Sequence, residues 1–263
     1  MAETRRKDRS REEDDRYEGL LEGRNAISEA LQAGTGLEKL YVANGAVDVT
    51  LRRLTAKARE RGIPVVQCDR RKLDAMSATG AHQGVIAACS AVEYVPLEEL
   101  LERARQRGEA PLLVLCDGIT DPHNLGAILR TAEAAGAHGV VIPKRRAAGV
   151  NAVVGKTSAG AMNYLPVCKV GNLTDAIKTL KKLGVWIYGT AADGSTNLYQ
   201  AGLEGPSAII IGSEGSGMSR LVREQCDFTV SIPMLGRMNS LNASAAAAVL
   251  LYEAVRQRGN NKR

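Results

Sequence analysis

The sequence is short of aromatic residues: one Trp, one Phe and seven Tyr make up 3% of 263 residues. So sparse a set disfavours a row of stacking aromatics as the means of gripping nucleic acid. Metal and disulfide chemistry is equally ill provided for. The five cysteines, at 68, 89, 116, 168 and 226, are odd in number, far apart and form no CxxC pair. The three histidines (82, 123 and 138) show no metal-ligand spacing. That pattern predicts reduced, mostly buried thiols and no metal site. Long apolar runs are missing as well; the longest, near Ala245 to Leu251, falls far below the ~20 residues of a membrane span. Residues 1–16 lack the apolar core of a secretory signal, so the expectation is a cytoplasmic chain.

What is present is an ordinary globular composition, 44% hydrophobic and 24% charged, which excludes wholesale disorder. The net charge of +6 is unevenly placed. Residues 1–16 hold six basic and six acidic side chains and read as a disordered, neutral tail. Arg256, Arg258, Lys262 and Arg263 concentrate positive charge at the other end. A pI near 9.1 permits nucleic-acid binding without demonstrating it.

Two units follow the tail. Residues 17–92 read as a small α/β unit: helices at 23–34 and 51–62, strands at 37–43, 63–68 and 84–92. This front unit carries Arg24, Arg52, Arg53, Lys57, Arg59, Arg61, Arg70, Arg71 and Lys72. Residues 93–110 form a charge-rich connector with a short helix after Pro96, its inner face Leu97, Leu100, Leu101 and Ala104. From Pro111 to residue 258, continuous apolar strands at 111–116, 139–143, 185–190, 208–212 and 228–233 alternate with helices near 124–135, 172–183, 217–225 and 240–258. Such alternation predicts an α/β domain with a parallel sheet covered on both faces. Residues 259–263 are left as a basic tail. Ligands of such sheets sit beyond the carboxyl ends of the strands, which directs attention to the loops after Leu115, Tyr188, Ile211 and Pro233.

Three segments lie at those ends. The first, Asp117 to Glu133, places Asn124 at a helix start and Arg130 off the apolar face of Leu125, Ile128 and Leu129. Spacing alone favours a solvated Arg130 paired with Glu133 three residues on, and His123 reads as a turn residue rather than a base. The second, Ile209 to Gly217, runs a strand into a glycine-rich turn around Gly212 and Glu214. Its GxxGxG spacing is neither a dinucleotide fingerprint nor a phosphate loop, and a carboxylate there suits a cationic ligand. A plain strand-to-helix turn explains it equally well. In the third, Ile232 to Ser244, the residues Asn239, Ser240, Asn242 and Ser244 crowd the start of the last helix, more polar groups than one cap requires.

Together, NLGAILRTAEAAG, IIIGSEGSG and IPMLGRMNSLNAS, in this order and at strand ends, resemble the three motifs of the SpoU/TrmH family, RNA ribose 2′-O-methyltransferases of the SPOUT class. The front unit, with His82-Gln83-Gly84 before its last strand, resembles that family's ribosomal-protein-like substrate-binding domain. The likeness covers residues ~18–258, and DGITDPHN and LYEAVRQR bring it nearest the branch acting on a guanosine of 23S-type, large-subunit rRNA. It implies a deep trefoil knot in the C-terminal sheet, a homodimer, and S-adenosylmethionine held against Gly189, Thr190, Gly212, Ile232, Met234 and Leu241. It also implies that Asn124, Arg130, Glu214, Ser240 and Asn242 carry the chemistry, with no metal. The resemblance makes Arg130 the base; a guanidinium pKa above ~12 argues instead for holding a phosphate and steadying the developing alkoxide. Asn124 and Asn242 would orient Arg130 and the ribose, and Glu214 would position Arg130 or offset the sulfonium charge. The alternatives are a tRNA substrate, a non-catalytic RNA-binding or assembly factor on the same fold, and a nucleotide-dependent α/β enzyme using GSEGSG.

Overall fold

The computed structural model describes residues 19–33, 36–45, 48–77 and 79–260; the charged tail at 1–16, with Lys262 and Arg263, lies outside them. The chain divides into two compact units, one running to Glu93 and including Val150–Val153, the other Tyr94–Gly149 with Val154–Arg263.

The front unit is a four-stranded sheet of β1 (Leu20–Glu22), β2 (Leu37–Ala43), β3 (Val65–Cys68) and β4 (Val85–Cys89) in the order β1-β4-β2-β3. Strand β4 is antiparallel to β1 and β2, while β3 is parallel to β2, so β1, β2 and β3 all run the same way. Each is followed by a helix: α1 (Arg24–Ala33), α2 (Val49–Glu60) and α3 (Arg70–Met76). Ile27 and Leu31 of α1 and Leu51, Leu54 and Ala58 of α2 bury against Leu40, Val85 and Ala87. Leu73 of α3 closes a smaller cluster with Ala43, Cys68 and Ile86. Helix α3 and strand β1 are too short for periodicity to reveal. Buried His82 accepts from the Gly84 N–H at Nδ1 and meets Asp74 through Nε2, which makes it a structural residue of the turn before β4.

In the second unit a seven-stranded sheet runs β7-β6-β5-β10-β8-β11-β9. Its strands are β5 (Leu112–Asp117), β6 (Gly139–Pro143), β7 (Val167–Val170), β8 (Trp186–Thr190), β9 (Thr196–Asn197), β10 (Ser207–Gly212) and β11 (Phe228–Ser231). Every pairing is parallel, as continuous apolar strands between helices require. One face, with Leu113, Leu115, Ile187 and Ile210, packs under α4 (Leu97–Gln106), α7 (Leu173–Lys182) and α8 (Arg220–Arg223). Alternate residues such as Val114, Ile209 and Ile211 are equally buried, and α9 (Ala243–Asn260) packs on both β10 and α5 (Pro122–Ala134). The expected helix near 217–225 contracts to Arg220–Arg223, because the glycine-rich turn runs on to Ser219, whose N–H is held by Asp117 Oδ2 at 2.6 Å. Strands β7 and β9 have no counterpart in the sequence reading; at four and two residues they are too brief to stand out as apolar runs.

Three of the five cysteines are buried, and all are free thiols. Burial holds the Cys116 thiol at about 12 and those of Cys168 and Cys226 at about 11. None of these three is therefore a thiolate near neutral pH. Among the described residues no group of three or more His, Cys, Asp or Glu could hold a metal ion, and no helix is long and apolar enough to cross a membrane.

Arg258, counted above among the basic residues near the C-terminus, is an internal brace. Its guanidinium donates to the carbonyls of Leu203, Ala110, Pro111 and Gly205 at 2.6–3.0 Å, joining α9 to the chain ahead of β5 and β10. Burial lowers its pKa. Arg258→Ala strands four carbonyls at once and is expected to cost about 2–4 kcal/mol. Denaturant unfolding checks this; a loss within ~0.5 kcal/mol would reduce the brace to an ordinary surface arginine.

Candidate active site

Because all seven strands are parallel, β5, β8, β10 and β11 release the chain at one edge of the sheet, and the three polar segments meet there. Asp121 caps α5 by accepting from the His123 N–H, with Pro122 in the first turn and Asn124 one position further. The turn after β10 closes on itself through paired backbone bonds between Ser213 and Gly217. A Cβ on Gly212 would stand 2.4 Å from the Gly217 carbonyl carbon and 2.5 Å from the Met218 nitrogen. Glycine is required there by the returning backbone of the turn itself.

Asn242 joins the segments. Its Oδ1 accepts from the backbone N–H of Ser244 at 2.9 Å and of Ala245 at 3.2 Å, capping α9. Backbone donors fix which end of the amide is oxygen, so Nδ2 must face the other way. It donates to Asn124 Oδ1 at 2.9 Å and to Glu214 Oε1. Asn124 in turn donates its Nδ2 to Glu214 Oε1 at 3.0 Å. Three residues from α5, the β10 turn and the start of α9 thus form a closed triangle, with Glu214 the acceptor of both amides.

Beside it lies a hollow of about 470 Å³. The β10 turn forms one wall and Ile232, Met234 and Leu241 form an apolar shelf; Thr190, Gly212, Glu214 and Ser240 also line it. Gly189 does not line it. This glycine is buried in β8, where the Cys226 sulfur and the Met218 side chain fill the space a Cβ would take. Two charged lining residues escaped the sequence reading: Asp193, after β8, and Arg223, in α8, form a two-pronged ion pair with both bonds at 3.0 Å. No spacing links them, although the loop after β8 drew attention.

Arg130 stands apart. It is exposed and makes no hydrogen bond or ion pair with any described residue, so neither the pairing with Glu133 nor a contact with Glu214 is formed. Six residues beyond Asn124, it lies about 240° round the helix, on another face. Ser240 is exposed, its Oγ 3.5 Å from Asn239 Oδ1. The structure therefore gathers Asn124, Glu214 and Asn242, sets Ser240 on the rim of the hollow, and leaves Arg130 outside the triangle.

The double duty of Asn242 can be separated. Asn242→Ala removes the cap and both triangle bonds and is expected to cost about 1–2 kcal/mol between about pH 5 and pH 8. Asn242→Asp keeps a capping oxygen but sets a second carboxylate against Glu214. Like charges raise the folded pKa of the pair, so this variant is destabilised at about pH 8 and recovers as the pH falls toward 5. Thermal melts across that range read the difference; parallel pH profiles for the two variants would contradict the triangle.

Comparison with known proteins bears on what this edge does. Residues 111–252 match the model of the SpoU rRNA Methylase family, and residues 20–95 match that of an RNA 2′-O ribose methyltransferase substrate-binding domain. A 23S rRNA (guanosine-2′-O-)-methyltransferase of Pseudomonas putida, RlmB, is 45% identical over 225 residues, 84% of this chain and 89% of its own. An uncharacterized tRNA/rRNA methyltransferase of Mycolicibacterium vanbaalenii is 45% identical over 91% of this chain and 76% of its own. Among solved structures, the SpoU methyltransferase AviRb from Streptomyces viridochromogenes, in complex with AdoMet, superposes with a TM-score of 0.58 at 30% identity, covering 92% of this chain and 90% of its own. A TrmH/SpoU tRNA modifying enzyme of A. aeolicus does so at 0.54 and 30%, over 63% of this chain and 86% of its own. The chain belongs to the SpoU family of RNA methyltransferases.

Proposed function

We propose that this protein transfers a methyl group from S-adenosylmethionine to the ribose 2′-hydroxyl of a guanosine in large-subunit rRNA, and that it does so in the cytoplasm as a homodimer. The observation that carries the reading is the Asn124–Glu214–Asn242 triangle beside a ligand-sized hollow. It is supported by 45% identity to a 23S rRNA (guanosine-2′-O-)-methyltransferase over 84% of this chain and 89% of that one. A tRNA substrate is the second reading, favoured by the tRNA-modifying relative. That relative is matched over 63% of this chain, whereas the rRNA relative is matched over 84% and the front unit has a substrate-binding match of its own.

The hollow suits the cofactor. Ile232, Met234 and Leu241 offer an apolar shelf, the β10 turn brings backbone polar groups, and one oxygen of Glu214 accepts no bond from described residues. The one cation among its described lining residues, Arg223, is already engaged by Asp193, which disfavours a polyphosphate and the nucleotide-dependent alternative. When bound, S-adenosylmethionine supplies an electrophilic methyl on a sulfonium, so no metal is needed. The protein's task is to align the hydroxyl, steady the charge that develops on its oxygen and let the proton go. In this reading Glu214 faces the sulfonium of the ligand, and the two asparagines hold that carboxylate in place. Arg130, exposed and unpaired among the described residues, grips the phosphate next to the target ribose and stabilises the alkoxide. Leu235 and Met238, fully and 71% exposed, offer apolar surface that a second copy would cover.

Mapping 2′-O-methyl groups on rRNA and tRNA from cells with and without the gene tests the substrate directly; loss at a tRNA position alone would select the second reading. Glu214→Gln keeps an acceptor for both asparagines and removes only the charge. It is expected to weaken S-adenosylmethionine binding by about tenfold while leaving S-adenosylhomocysteine, which lacks the sulfonium charge, unaffected; equal losses in calorimetry would refute the electrostatic role. Arg130→Ala should lower kcat at least ~100-fold with cofactor affinity intact. Turnover near that of the wild type would return Arg130 to an ordinary surface side chain.

A further inference from the structure

The front unit contains two hollows that the reading above does not use. The larger, about 630 Å³, lies at the edge where β1, β2 and β3 end, and Arg24, Asp48, Arg70 and Gln83 line it. The smaller, about 370 Å³, shares Ala43 and Gly45 with the first and is walled by Arg52 and Arg59. The two make one furrow.

Its chemistry is one-sided. Four arginines face one carboxylate, and that carboxylate is occupied: Asp48 binds Arg24 Nη1 and caps α2 through the Thr50 N–H. Those two bonds hold its pKa below the usual carboxylate range, so it stays an anion committed to Arg24. Arg24 is further fixed by donating Nε to the Gln83 carbonyl at 3.2 Å, and Gln83 takes a left-handed backbone (φ 51°) to present it. Arg52, Arg59 and Arg70 are exposed and form no ion pair with any described residue. Arginine left unpaired beside a cavity suits a phosphate, which its planar fork binds through two bonds. Positions 52, 55, 56 and 59 fall on one stripe of α2, which sets Arg52 and Arg59 about 10 Å apart along the helix. That spacing asks for an extended ligand carrying several negative charges. No aromatic side chain lines the furrow, so bases would be met by polar groups such as Gln83 and not by stacking rings.

We infer that this furrow is where the front unit holds RNA: backbone phosphates run along Arg52 and Arg59, and one unpaired nucleotide sits in the larger hollow, its phosphate against Arg70 and its base against Gln83. The inference rests on the reading of the protein as an RNA methyltransferase.

The test uses the full-length protein and two triple variants of equal charge. Arg52→Ala/Arg59→Ala/Arg70→Ala empties the furrow. Arg53→Ala/Lys57→Ala/Arg71→Ala removes the same charge from residues that do not line it. The probes are unmethylated large-subunit rRNA and a uridine 20-mer, read by anisotropy or filter binding against salt. Three lost phosphate contacts on a single strand should flatten the slope of log affinity against log salt by about 2, or about 100-fold at 0.1 M. The control triple should lose less than about threefold, and both should bind S-adenosylmethionine as the wild type does. Equal losses in the two triples, or an unchanged slope in the furrow triple, would overturn the inference. Displacement of the RNA by polyglutamate at equal charge would also overturn it, because the furrow would then be a general anion surface. If the wild type binds RNA through the furrow but methylates none, the proposed activity fails and the furrow stands. If the wild type methylates rRNA and the furrow triple does so with unchanged KM, the furrow fails alone.

Discussion

The parallel direction of all seven strands in the second unit is the constraint from which its site follows. Each strand must hand the chain to a connection at the same edge, so segments separated by more than a hundred residues arrive together without any local code bringing them there. Burial on both faces commits the strands to apolar residues throughout, and this confines polar chemistry to the turns. The triangle of Asn124, Glu214 and Asn242 is the visible result, its members 28, 90 and 118 residues apart.

Within that edge, Asn242 has the least freedom. Its carbonyl is claimed by the first N–H groups of α9, and this obliges its amide nitrogen to meet a carboxylate and another amide oxygen. A serine would cap the helix as well but has one hydrogen to give; an aspartate would cap it but offer no donor. Asparagine alone of the common caps supplies an acceptor on one side and two donors on the other. The crowding of polar residues at the start of the last helix, excessive for a cap, is thereby accounted for at one of its four positions.

How much of this could be read beforehand differs by scale. The parallel sheet and most of its helices were legible because continuous apolar runs and a period of 3.6 persist over enough residues to be seen. The brief strands β7 and β9 and helix α3 were not, since they are held by neighbours rather than by their own pattern. At the site, Thr190, Gly212, Ile232, Met234 and Leu241, far apart in the sequence, line one hollow, while Gly189 is packed within β8. The ion pair of Asp193 and Arg223 had no legible trace, because complementary charges thirty residues apart are ordinary in any sequence. The role of Arg258 left no trace either. Its charge near a basic terminus says nothing of its partners, and only the convergence of four carbonyls shows that it is spent inside the fold.

Both units build a hollow at the carboxyl edge of a sheet, yet furnish it with opposite charge. In the second unit the free group is one oxygen of Glu214 over an apolar shelf, and the lining arginine is neutralised by its aspartate. In the front unit the lining aspartate is neutralised by its arginine, and three further arginines are left free. The same device, an ion pair that cancels the unwanted sign, thus leaves a net anion in one hollow and a net cation in the other. A sulfonium cofactor and a polyanionic RNA are ligands of opposite charge that one protein must hold at once. With the cofactor and the RNA placed as proposed, pairing off the wrong charge in each hollow keeps either ligand from competing for the other's place, and it does so with side chains too common to announce themselves in the sequence.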